Sequence, residues 1–339
     1  LMPGDNIYRT FPNLYTIRGT THRDVAGWVN SLDHMRSFNP QYLFPSHTKP
    51  LTGNIVMETL TIYRDAIQYV HDQTIRLINE GLTPDEIVKE IELPAKLAES
   101  PFLSEFYGTI RWSVKSIFNG YLGWFSGNPT DLDPLSTLET AQRLSELLGG
   151  EDKIFIALEA AIFNKDMQWA LELSDQLIAL EYSLEEVYQL KKEALLYIGN
   201  RSSNPNKRNY FLTSALELDK NFKGFPETII TEGAVSEISI DTMFSRLSVS
   251  LNPENIYKDN YNVCFIFPSG NNKTISIRND VAAISNSALG DCNITVEASE
   301  TVIKQVLSGL ISPVKAIASG AIQVDGGSTN FLQFLASFR

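Results

Sequence analysis

Two cysteines and four histidines are all that these 339 residues contain. Cys264 and Cys292 are too few and too far apart for a disulfide framework or a zinc cluster. Both sit in apolar runs and are read as buried thiols, which leaves the compartment open. No apolar run approaches the ~20 residues of a membrane-spanning helix, so an integral membrane protein is excluded. Cations are outnumbered, with 28 Lys and Arg against 40 Asp and Glu for a net charge of −12. Such a surface repels phosphate backbones and anionic headgroups, so nucleic acid is excluded as a partner. G-x-G-x-x-G, P-loop, H-E-x-x-H, G-x-S-x-G and H-x-H patterns are all absent. No leader pattern opens the chain and position 1 is not Met. "LMPGDNIY" reads as the middle of a domain, and the sequence is taken to lack its beginning.

The length implies two or three domains. Residues 1–53 read as an α/β remnant. "NLYTIRG" (13–19) has strand composition, and Val25, Trp28, Val29, Leu32, Met35 and Phe38 recur at helical spacing. Thr21 followed by Asp24 suggests a capping box at that helix start. Pro40 ends the helix, and "QYLFPSH" reads as a strand that delivers His47 to its carboxyl end, where α/β sheets collect ligands. Residues 54–222 read as all-helical. One long amphipathic run stops at Gly81, Thr83 and Pro84 open the next helix, and "LSEFYGTIRWSVKSIFNGYLGWF" reads as a buried helix. "NPTDLDPL" is a loop, and five helices follow with a loose tetratricopeptide-like pattern. Residues 223–339 read as a small α+β domain. Val263, Phe265 and Phe267 alternate on a strand, "SGNN" turns the chain, and further strands and helices run to the end.

Taken alone, the polar candidates are ordinary. His47 at a strand end is a surface residue by default. Asp5 in "PGDN" is a turn former. Arg18 before Gly19 is a solvated cation, although a guanidinium beside an amide such as Asn13 suits an oxyanion. His22 is an acid–base candidate or a plain helix-start residue, and His34 and His71 fall on helix faces.

Longer stretches change that reading. "GDNIYRTFPNLYTIRG", "PSHTKP", "YVHDQTIRLINEG", "FYGTIRWSVKSIFNGYLGWFSGNPTDLDPL" and "RNYFLTSALEL" together resemble the alkyl sulfatases of the metallo-β-lactamase superfamily. The resemblance runs along essentially the whole chain. It implies three parts: the end of a metallo-β-lactamase-like hydrolase domain, an all-α dimerisation domain, and an α+β domain like sterol carrier protein type two. It implies a sulfuric ester hydrolase that cleaves alkyl sulfates of the dodecyl sulfate type with two zinc ions. It assigns Asp5 and His47 as metal ligands and Asn13 and Arg18 to the sulfate, with His22 and Tyr107 as weaker catalytic candidates. The family's usual residue at the first position is Glu, where this chain has Asp5. The family's H-x-H-x-D-H motif would lie upstream of residue 1, so these residues alone are expected to bind metal poorly and to be inactive. The implied partners are a second copy, through the helical domain, and an alkyl sulfate or other aliphatic ligand; a periplasmic or secreted location is favoured. The alternative is a non-catalytic dimerising, lipid-binding module, with a helical-repeat scaffold behind it.

Overall fold

The computed structural model describes residues 1–15, 17–224, 230–287 and 290–338. The chain divides into two compact units, Leu1–Gly224 and Phe225–Arg339.

The first unit is helical. Its elements are α1 (Val25–Ser37), a two-residue hairpin β1 (Tyr42–Leu43) and β2 (Leu51–Thr52), then α2 (Asn54–Asn79), α3 (Pro84–Glu90), α4 (Ala95–Ala98) and α5 (Ile110–Leu122). A second run follows: α6 (Thr137–Leu148), α7 (Glu151–Phe163), α8 (Met167–Ala179), α9 (Leu184–Arg201) and α10 (Pro205–Glu217). One core joins Ile7, Phe11, Leu14 and the buried face of α1 to Leu60, Tyr63 and Ile67 of α2 and to Val114 and Ile117 of α5. A separate core holds α7 to α10 together through Leu158, Leu173, Leu177 and Ala194.

Local chemistry explains where these helices start and stop. Thr83 and Glu86 form a reciprocal capping box with Pro84 at the first helical position. Ser136 and Glu139 repeat the device on α6. Gly81, with φ of 86°, takes the left-handed conformation that ends α2. The α1 cap differs from the sequence expectation. Asp24, not Thr21, is the N-cap, and its carboxylate accepts from the Gly27 N–H. A single Asp already satisfies the first turn, so the box is not needed.

Two other expectations fail in this unit. Residues 13 and 14 are irregular, residue 15 is a bend and 17–19 form a turn, rather than a strand; Thr16 lies outside the described residues. Leu14 and Tyr15 are buried as strand residues would be, but among the described residues no strand pairs with them, and a strand needs a partner for its backbone groups. "QYLFPSH" yields only the two residues of β1, and His47 sits in the hairpin turn, not at the end of a sheet strand. The helix from 110 is buried on one face only, and Tyr121, Leu122 and Trp124 at its end are exposed.

The second unit is α+β. Short helices α11 (Glu232–Glu237) and α12 (Ile240–Ser248) precede β3 (Tyr261–Ile266), β4 (Lys273–Arg278), β5 (Val281–Ser285) and β6 (Ile294–Ala298). Then come α13 (Glu300–Leu307), α14 (Pro313–Ala318), β7 (Ile322–Asp325) and α15 (Ser328–Ala336). The sheet order is β5-β4-β3-β6-β7, antiparallel except for the parallel β3–β6 pair. Phe265 of β3 lies between Phe244 of α12 and Phe331 of α15 in the core.

The cysteines correct the sequence reading. Cys264 and Cys292 form a disulfide, with Cα atoms 5.8 Å apart, well inside the range a disulfide spans. They are 28 residues apart in sequence, but Cys264 lies on β3 and Cys292 just before its neighbour β6. Spacing alone could not show that adjacency.

Candidate functional site

The site is assembled from four stretches of the first unit. The opening residues run beside the hairpin: the Phe44 N–H donates to the Leu1 carbonyl at 3.0 Å, the Ser46 N–H to that of Gly4 at 3.3 Å, and Gly4 bridges Pro45. That pairing carries Asp5 to the hairpin turn. Its Oδ1 lies 3.2 Å from His47 Nε2, with both side chains about 70% exposed.

Tyr107 arrives from the loop before α5. The Phe11 N–H donates to Ser104 O at 2.9 Å, and the Gly108 N–H donates to Phe11 O at 3.0 Å. Gly108 is obligatory there, because a Cβ would stand 1.8 Å from the Pro12 carbonyl oxygen. The Tyr107 carbonyl accepts from the Tyr15 hydroxyl at 2.5 Å and from Asn204 Nδ2 at 2.8 Å. Asn204 is also the N-cap of α10, so two separate segments, residues 11–15 and the start of α10, fix the Tyr107 backbone. Its own hydroxyl accepts from Arg18 Nη2 at 2.5 Å.

Asp5, His47, Arg18 and Tyr107 thus line one cavity of about 410 Å³, shared with Tyr8, Thr10, Arg23 and Thr48. Two cations and a phenol face a carboxylate–imidazole pair, a combination suited to an anionic ligand beside a cation. Tyr8 forms part of the wall. Burial pushes its hydroxyl up to about 12, so it stays protonated, and it accepts from the Asn13 N–H at 2.8 Å. Tyr63, packed edge-on beneath it at 6.0 Å, is held well above the usual phenol range by burial.

The structure separates the other candidates. Asn13 does not line the cavity; it is buried behind Tyr8, and its Oδ1 has no hydrogen-bond partner. His22 lies outside the cavity, its ring pressed so closely on Gly120 that a Cβ there would be 2.0 Å away. His71 bonds Asp72 and the Tyr121 hydroxyl, each at 2.8 Å. His34 packs on Phe38. Sequence reasoning missed Tyr8, Thr10, Arg23 and Thr48. Each adjoins a singled-out residue or motif, but only chain folding shows which neighbours share the wall.

A carboxylate and an imidazole are a zinc-type donor set. Two donors ~2.1 Å from a tetrahedral ion lie roughly 3.4 Å apart, close to the observed pair. A zinc site needs at least three protein ligands. Among the described residues, no group of three or more His, Cys, Asp or Glu side chains converges on a point. The pair therefore fits two corners of a metal site and does not complete one.

A helical unit followed by a compact α+β unit matches the domain order of the alkyl sulfatases. Residues 83–221 match the alkyl sulfatase dimerisation family and residues 228–339 the alkyl sulfatase C-terminal family. The chain is 35% identical to a linear primary-alkylsulfatase of Pseudomonas sp. (strain ATCC 19151), over 97% of this chain and 65% of that protein. It is 26% identical to the alkyl/aryl-sulfatase BDS1 of Saccharomyces cerevisiae, over 96% of this chain and 51% of that one. A solved stereoselective inverting sec-alkylsulfatase from Pseudomonas sp. superposes with a TM-score of 0.88 at 25% identity, covering 99% of this chain and 54% of its own. The chain belongs to the alkyl sulfatase family, and it spans 51 to 65% of the length of the first three curated relatives it matches.

Proposed function

We propose that this chain supplies the sulfate-holding wall and two metal ligands of a zinc-dependent alkyl sulfatase acting on esters of the dodecyl sulfate type. The observation that carries the reading is the convergence of Asp5, His47, Arg18 and Tyr107 on one cavity. Arg18, already aligned by the Tyr107 hydroxyl, presents a fork of N–H donors to the sulfate oxygens. Asn13 is the second group the resemblance assigns to the anion; it is buried one layer behind Tyr8, and only its amide Nδ2 could donate to a sulfate oxygen. Asp5 and His47 would hold one of the two zinc ions of the metallo-β-lactamase-like centre; when bound, zinc supplies a water ionised near neutral pH. Arg18 offsets the negative charge of the sulfate group as the ester is cleaved to alcohol and sulfate. The α+β unit, read as sterol-carrier-like, would bind an aliphatic ligand on its own.

The complete enzyme is proposed to work as a homodimer through its helical domain. The Cys264–Cys292 disulfide favours a periplasmic or secreted location, because cytosolic thiol pools keep such pairs reduced. Among the described residues, no helix is long and apolar enough to cross a membrane.

With two donors, these 339 residues by themselves are expected to bind zinc poorly and to turn over no alkyl sulfate. Metal analysis of the purified chain tests this: well under one zinc per chain is the expected result, and stoichiometric zinc removed by His47→Ala would contradict it. The incomplete donor set also favours a second reading, a non-catalytic dimerising and lipid-binding module. Sulfate binding lost on Arg18→Ala separates the two, since a lipid module has no use for that cation.

A further inference from the structure

Arg23 lines the same cavity as Arg18 but has no part in the reading above. It leaves the chain just before Asp24, the N-cap of α1, and is half-buried. Acidic side chains are abundant, 40 against 28 basic ones. Even so, neither Arg18 nor Arg23 is paired with a carboxylate among the described residues. Two carboxylates that could have neutralised them are committed elsewhere. Asp24, next to Arg23 in sequence, accepts the Gly27 N–H at 2.8 Å, and Asp5, in the same cavity, pairs with His47. A cation left uncompensated in a cavity wall is compensated by what enters the cavity.

Each guanidinium is braced by an aromatic ring. The Arg18 carbon stands 5.8 Å from the Tyr107 ring centroid, and the Arg23 carbon 6.0 Å from that of Trp28. Both rings are held from behind. The Tyr107 carbonyl accepts from Tyr15 and Asn204, and the buried Trp28 donates its Nε1–H to the Asn6 carbonyl at 2.8 Å. At that range the cation–π attraction is modest; it orients the side chain and leaves N–H donors for a ligand. Tyr8 reports that Arg23 faces inward: burial raises its phenol, and the Arg23 charge works against that rise.

Two separate cations in one wall can distinguish anions by shape. A carboxylate has two oxygens, and a single guanidinium fork satisfies both. A sulfate ester ends in three oxygens arranged as a tripod, so a fork that takes two leaves the third. We infer that Arg23 donates to this third sulfate oxygen and thereby sets the preference of the cavity for the tripod of a sulfate ester over a planar carboxylate of the same charge; the inference rests on the anion-holding role proposed above for Arg18. A polar site built for one shape penalises the ligand that leaves its donors unpaired.

Nuclear magnetic resonance titration of the full chain with methyl sulfate and with acetate, at constant pH and ionic strength, tests this. Both probes carry one negative charge, so a change in the general field affects them alike. In the wild type the Arg18 side-chain signal should move with both anions, and the Arg23 signal should saturate with methyl sulfate and barely respond to acetate. Arg23→Gln should lower the preference for methyl sulfate over acetate about tenfold, as loss of a charge-assisted hydrogen bond does. Arg18→Ala should weaken both anions. The wild-type Arg23 signal decides the matter even where a variant misfolds. A wild-type Arg23 signal that ignores methyl sulfate, or a preference unchanged in Arg23→Gln, would overturn the role of Arg23 and leave Arg18 as the anion-holding group. If methyl sulfate moves neither arginine signal, the anion reading of the cavity falls, and this inference with it.

Discussion

The two units solve the folding problem differently. The α+β unit closes a five-stranded sheet under four of its helices, and its largest side chains meet in one core. The helical unit packs its helices well but leaves residues 119–140 uncovered and puts its chemistry on loops. One unit is self-contained. The other presents polar and apolar groups that make sense only against something else. Stability and function are divided along that line, and each expectation below probes the division.

The largest effect belongs to the core of the α+β unit. Phe265→Ala should cost about 3–5 kcal/mol in denaturant unfolding, because the ring is fully enclosed by Phe244 and Phe331. A loss under about 1 kcal/mol would show that the core is not closed as described. Next comes the staple. Replacing Cys264 and Cys292 together by Ser opens a 28-residue link and should cost about 3–4 kcal/mol. Hydrogen exchange should rise in β3 and β6 while α2 keeps its protection. Equal loosening of α2 would erase the contrast between the units.

A smaller effect falls in the helical unit at alkaline pH. Burial raises Tyr8 to about 12, so its folded form holds the proton more tightly than the unfolded chain does. Its contribution is fully present below pH 10 and is lost as pH rises towards 12. Unfolding free energy should fall by roughly 2 kcal/mol per such group across that window. Tyr8→Phe should flatten part of the fall; a wild-type curve that stays level to pH 12 would contradict the burial of the wall. The smallest stability change is at Arg18, which is exposed. Arg18→Ala should shift unfolding by no more than about 0.5 kcal/mol, although it removes a principal cavity cation.

How much of this the sequence disclosed follows the same division. The helix start at Thr83 and the strands around Val263 and Phe265 rest on local chemistry and alternation, and both are legible in the sequence. The described residues of 13–19 form no strand, because strand composition reports only a propensity and a strand also requires a neighbour. The disulfide was hidden for the same reason: β3 and β6 become neighbours only through sheet topology. At the site, Asp5, Arg18, His47 and the weaker candidate Tyr107 were named from the resemblance to the alkyl sulfatases, since each residue alone is ordinary. Their wall-mates Tyr8, Thr10, Arg23 and Thr48 were not, since lining a cavity is a property of four packed segments.

The central claim is that Arg18 and Tyr107 bind an anion in the cavity they share with the Asp5–His47 pair. Nuclear magnetic resonance titration of the chain with inorganic sulfate tests it most directly. The account predicts saturable shifts of the Arg18 guanidinium and of residues around Tyr107, at least about tenfold weaker in Arg18→Ala, as loss of a charge-assisted contact implies. Shifts spread evenly over surface cations, or binding unchanged in Arg18→Ala, would contradict it.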